Sequence, residues 1–144
     1  MKHVWTIICQ QAIVNSETKT INLMDVLEMI TFKAAAELTG GKTVFPFKFE
    51  IVSYWMRDSD KEKSVEYLLE AIDPTGEKVI EKQYKMDYPS DGKKRMRSII
   101  KSNAFVFTLE GQYLFKVKLK EEKGHKTVAE IPVEVNLQKL QTEK

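Results

Sequence analysis

Apolar and polar residues alternate with a period of two through most of this chain. Tyr113, Phe115, Val117 and Leu119 share one parity, and Lys116, Lys118 and Lys120 share the other. Ala129, Ile131, Val133, Val135 and Leu137 alternate with Glu130, Pro132, Glu134, Asn136 and Gln138. Phe45, Phe47, Phe49 and Ile51 alternate with Pro46, Lys48 and Glu50, and Phe105, Phe107 and Leu109 repeat the theme. A strand turns successive side chains to opposite faces, so this pattern predicts strands with one face on a core and one in water. About eight strands are expected, over roughly 3–14, 19–32, 44–56, 64–73, 78–86, 96–109, 112–121 and 127–138.

The connections carry matching chemistry. Asp73-Pro74-Thr75-Gly76 places Asp first, Pro second and Gly fourth, as a type I turn prefers. Asn15 to Thr18, Leu109 to Gln112 and Glu122 to His125 separate further strands. Pro46 and Pro132 cannot donate a ladder hydrogen bond, so their strands are expected to be edges or to be bulged there. The segment 33–42, KAAAELTGGK, breaks the alternation. Its alanines favour helix and Gly40-Gly41 would stop one, so a loop with one helical turn crossing between sheets is expected. Many short strands at this spacing predict an all-β, two-sheet antiparallel sandwich of immunoglobulin-like or related topology. Residues 1–138 form the single domain in this reading, and 139–144 a flexible tail.

Composition changes the picture only in what it excludes. The chain has 144 residues, 42% hydrophobic and 31% charged, which suits one folded domain and not a disordered segment. A net charge of +2 with only Arg57, Arg95 and Arg97 as arginines makes a nucleic-acid partner an unfavoured expectation. Cys9 is the only cysteine, so an intrachain disulfide is impossible and a cytoplasmic location is expected. The apolar run from Val4 to Cys9 is shorter than a signal h-region, and its bulky Ile7 and Ile8 do not suit a cleavage site. No stretch reaches the length of a membrane-spanning helix.

Three blocks also resemble a known family. These are TIICQQAIVNSETKTINLMDVLEMI, AIDPTGEKV, and FTLEGQYLFKVKL followed by AEIPVEV. In this order they are similar to an uncharacterised prokaryotic β-sandwich family of unknown function, over about residues 3 to 138. The family commonly has an acidic residue after the Cys, where Gln10 and Gln11 stand here, and Gly where Asp25 stands. The resemblance implies a fold and brings no activity, cofactor or catalytic residue.

The residues themselves offer little catalytic chemistry. His3 and Cys9 are six positions apart on one expected strand, a separation of roughly 20 Å. One cysteine and two scattered histidines do not make a zinc set. Gly40-Gly41-Lys42-Thr43 lacks the first glycine of a phosphate loop and precedes a strand, not a helix. No cofactor is expected. Asp58, Asp60 and Glu62 alternate in RDSDKEK and are candidate calcium ligands, against a reading in which Lys61 and Lys63 balance them. Lys93, Lys94, Arg95, Arg97 and Lys101 form the densest basic run and are candidates for an anionic surface, although no aromatic residue interleaves with them. Tyr54, Trp55, Tyr67, Tyr84 and Tyr88 could line a sugar platform or simply pack. The expected function is a non-enzymatic intracellular interaction module with an unknown protein partner and a possible homodimer. The alternatives are a ligand-binding domain or enzyme using loop pockets for carbohydrate or calcium, or a peripheral binder of anionic surfaces.

Overall fold

The structure, a computed structural model, describes residues 1–34, 41–88 and 92–140. Among them are nine strands: β1 (Lys2–Val14), β2 (Ile21–Val26), β3 (Met29–Ala34), β4 (Thr43–Met56), β5 (Ser64–Ile72), β6 (Lys78–Asp87), β7 (Arg95–Phe107), β8 (Gly111–Glu121) and β9 (Gly124–Lys139). They form a four-stranded sheet, ordered β2-β1-β4-β7, and a five-stranded sheet, ordered β3-β9-β8-β5-β6. The expected all-β sandwich is what is found. No helix among the described residues is long and apolar enough to cross a membrane. The helical turn expected within 33–42 falls largely on 35–40, and most of the expected tail is 141–144; both lie outside the described residues. The start of that tail is paired, since β9 runs to Lys139 and the Leu140 N–H donates to the Ala34 carbonyl at 2.9 Å.

The strand expected over 19–32 is two strands. Asp25 takes a left-handed φ of 54°, a conformation that favours glycine and that Asp adopts more readily than most side chains. The Leu27 N–H still bonds to the Ile8 carbonyl of the first sheet at 2.8 Å, and one residue later the Glu28 carbonyl accepts from Glu134 N–H of the second sheet at 3.0 Å. The chain thus changes sheets at Leu27-Glu28. β3 then runs parallel to β9, the one parallel pair in an otherwise antiparallel set of described ladders.

Pro46 and Pro132 sit in interior strands, at places where a neighbour has ended. The β1–β4 ladder runs only as far as Cys9–Glu50, so Pro46 faces no β1 partner, and the β4–β7 register slips between Pro46 and Phe49. The β3–β9 ladder begins at Glu134, two residues past Pro132. Each missing N–H therefore falls on a locally open side.

The core lies between the sheets, built from one parity of each strand. Ile8, Phe49, Ile51, Trp55 and Phe105 come from the first sheet, and Phe32, Tyr67, Leu69, Phe115 and Val133 from the second. Trp55 is completely buried, and its indole N–H donates to Ser98 Oγ at 3.2 Å, which meets the polar demand of that ring. At one end of the sandwich two turns are locked together. Asp73 Oδ1 accepts from Thr75 N, Thr75 Oγ1 and Glu77 N at 2.9, 2.6 and 3.0 Å, while Oδ2 accepts from Thr108 Oγ1 at 2.8 Å. Tyr113 closes the second turn: its hydroxyl donates to the Leu109 carbonyl at 2.8 Å and accepts from Thr108 N–H at 2.9 Å. The hairpin between β5 and β6 is therefore an anchor of the fold.

Candidate functional site

Residues directly opposite in a ladder share a face, so the outer face of the first sheet can be read from its register. Trp5, Tyr54 and Arg97 form one row across β1, β4 and β7. Ile7, Val52 and Ile99 form the next, and Cys9, Glu50 and Lys101 the one after. Trp5 and Tyr54 stack nearly parallel, with ring centroids 5.7 Å apart and planes inclined by 13°. Both rings are half-buried, so each retains surface that a ligand can meet.

The connection between β1 and β2 supplies a wall over this face. Asn15 Oδ1 accepts from Glu17 N–H and Thr18 N–H at 2.9 and 3.1 Å, and Lys19 takes a left-handed φ of 62°. The turned tip reaches β7, where Arg97 Nη2 donates to the Lys19 carbonyl at 2.9 Å. Between the tip and the sheet lies a cleft of about 850 Å³. Its apolar lining includes Val14, Ile21 and Ile99 beside the two rings, and its charged lining is Lys19, Lys93, Arg95 and Arg97. No carboxylate lines it among the described residues. Among the described residues Arg95 and Arg97 have no acid within ion-pair distance.

The other sheet treats its charges differently. Lys116 lies 3.8 Å from Glu130, Lys118 3.0 Å from Glu70, and Lys120 3.0 Å from Glu66. Lys78 also reaches Glu70, at 2.9 Å. Burial pushes the Glu70 carboxyl up, but the two ammonium groups outweigh it and hold the group below its ordinary value. On that face Lys78, Lys116, Lys118 and Lys120 each stand beside an acid, while Arg95 and Arg97 in the cleft have none among the described residues.

The basic run 93–101 is thus partly assembled. Lys93, Arg95 and Arg97 line the cleft. Lys101 sits two rows along the outer face, 3.8 Å from Glu50. Lys94 is exposed, lies outside the lining, and contributes its carbonyl to Arg57 N–H at 2.9 Å. Trp5, Tyr54 and Lys19 are the partners that the linear run does not reveal. Their only trace in the sequence is a parity that puts Tyr54 opposite Trp55; no spacing connects residues 5, 19, 54 and 97.

The other candidates disperse. Among the described residues no three His, Cys, Asp or Glu side chains converge in a way that could hold a metal ion. Glu62 Oε1 lies 2.7 Å from the Met1 amino nitrogen, Asp58 reaches the same nitrogen at 3.6 Å, and Asp60 is 3.9 Å from Arg57. Of the five aromatics that could have formed a platform, Trp55 and Tyr67 are in the core, Tyr84 stacks on Tyr67, and Tyr88 lies under the Arg57 guanidinium at 4.6 Å. His3 contacts the Thr6 hydroxyl at 2.6 Å, which contacts Ser53 Oγ at 2.7 Å. Ser53, at the inner end of these contacts, is buried. Cys9 is fully buried; desolvation, and then the Glu50 charge, push its thiol up and away from the reactive thiolate. No protein-family model, curated protein or solved structure matches this chain.

Proposed function

We propose that this protein is a non-enzymatic, immunoglobulin-like binding module of the prokaryotic sandwich family it resembles, and that it engages an anionic partner through the outer face of the β2-β1-β4-β7 sheet. The observation that carries the reading is the cleft itself, where Lys19, Arg95 and Arg97 meet an aromatic pair with no carboxylate among the described lining residues. Lys19, Arg95 and Arg97, with no acid within ion-pair distance among the described residues, favour an anionic partner over a neutral one. The neutralised face of the opposite sheet shows that this chain places acids beside its lysines elsewhere. The immunoglobulin-like part is supported by strand order: β1, β4 and β7 follow the A-B-E order, and β9, β8 and β5 the G-F-C order. The Tyr113 hydroxyl, bonded back to the turn before its strand, resembles the tyrosine corner of such domains. The lone buried Cys9 supports a reducing, cytoplasmic setting.

The test is retention on phosphocellulose under a salt gradient. Arg95→Ala with Arg97→Ala is compared with Lys82→Ala with Lys85→Ala, a pair on β6 that removes the same charge from another surface. The expected result is that the arginine variant elutes at clearly lower salt than the lysine variant. Coincident elution would mean that net charge alone governs binding, and the assignment of the face would be abandoned.

A further inference from the structure

We infer that the cleft takes a nucleotide unit, with its base against the Trp5–Tyr54 pair and its phosphate against Arg95 and Arg97. The inference rests on the proposed anionic site and names its ligand class. Three features select that class. The first is concavity: the β1–β2 tip, held by Arg97 on the Lys19 carbonyl, walls the sheet face, and a space of about 850 Å³ suits a recessed small ligand better than a flat membrane surface. The second is the aromatic pair. Two half-buried, nearly parallel rings beside Ile99 offer a flat apolar seat, and a base has a flat face to lay on it. An inorganic anion would leave that seat unused.

The third is the order of groups along the sheet. Arg97 is directly opposite Tyr54, and Arg95 is two residues further on the same strand. At the backbone, Arg97 thus lies about 5 Å across the sheet from Tyr54 and Arg95 about 7 Å further along the same strand, so both side chains rise from the sheet within reach of a phosphate joined through a sugar to a base on the rings. Guanidinium groups pair with phosphate through parallel hydrogen bonds, and arginine, scarce in this chain, supplies two of its three copies here. No aromatic residue interleaves with the basic run along the chain, and the fold supplies two beside it from β1 and β4. The same chemistry is offered by a free nucleotide and by an unpaired nucleotide of a single strand.

The chain has two tryptophans, so a proton–nitrogen correlation spectrum shows two indole signals, one from the cleft and one from the core. Adenosine monophosphate, adenosine, inorganic phosphate and a hexathymidylate are each titrated into the full chain. Adenosine monophosphate should move the Trp5 signal saturably while Trp55 stays in place, at least tenfold more tightly than adenosine or phosphate. Arg97→Gln and Trp5→Leu should each weaken binding about tenfold, the second read from backbone signals of β7, with the dispersion of the remaining spectrum showing that each variant is folded. A hexathymidylate that binds tenfold more tightly than the mononucleotide identifies a single strand as the source; equal binding identifies the free nucleotide. Phosphate that binds as well as the nucleotide, or no Trp5 shift at millimolar concentration of any probe, overturns the inference. The phosphocellulose contrast between the arginine and lysine variants would stand or fall separately.

Discussion

Replacing Asp73 tests how much of this sandwich is held by one carboxylate. The side chain is 4% exposed and accepts four hydrogen bonds, three within its own turn and one from Thr108 on the turn before β8. A hydrogen bond to a charged group is worth roughly 1.5–3 kcal/mol, so a simple sum would exceed what the turn can contribute. Thr75 and Glu77 are exposed and regain water when the carboxylate is lost, whereas half-buried Thr108 does so less readily. Asp73→Ala should therefore cost about 3 kcal/mol, and Asp73→Asn, which keeps an acceptor for the turn and a polar partner for Thr108, about 1–1.5 kcal/mol. At roughly 3 °C per kcal/mol for a chain of this size, the melting temperature should fall by about 9 °C and 4 °C. Urea unfolding followed by tryptophan fluorescence measures both, with an unchanged m-value showing that only stability has moved. The sign with pH is also set. Burial opposes ionisation of Asp73, but the hydrogen bonds from Thr75, Thr108 and Glu77 outweigh it and hold the carboxyl below 3.8. Its contribution is thus present above the unfolded value and is lost as pH falls through the lower folded one, so the gap between the native chain and Asp73→Asn should narrow below about pH 4. A loss under 1 kcal/mol for Asp73→Ala, or an Asn variant as damaged as the Ala variant, would refute the anchoring role.

Gly111→Ala should destabilise by about 2–3 kcal/mol, because a side chain there is strained at a φ of 137° and its Cβ would lie 2.9 Å from Pro74 Cγ; calorimetry checks it, and Pro74→Ala in the same background should recover part of the loss by removing the clash. Glu70 and His3 both have lowered values, Glu70 because its lysines outweigh its burial and His3 through burial alone. Both contributions are full above the unfolded values and fade as pH falls, His3 starting near pH 6.5 and Glu70 near pH 4.5, so stability should decline in two stages on acidification and Glu70→Gln should flatten the second.

What the sequence determined by itself is local. Strand identity follows from a period of two that is intrinsic to extended backbone, which is why Phe49, Ile51, Phe115, Val117 and Val133 could be assigned to a core before any partner strand was known. The turn at Asp73 to Gly76 follows from side chains that bond to their own backbone. Only tertiary structure decided which strand lies beside which. The break at Leu27-Glu28 sits inside a stretch that reads as one strand, and it shows only in the ladders, where the first half pairs with β1 and the second with β9. Asp58, Asp60 and Glu62 show the same limit from the other side, since spacing that suits a cation is used here on Arg57 and the Met1 amino group. The cleft is the furthest from legible. Trp5, Lys19, Tyr54 and Arg97 become neighbours only through the β1–β4 and β4–β7 registers and the bend of the β1–β2 tip. Register is a property of pairs of distant segments, and no single stretch of chain contains it.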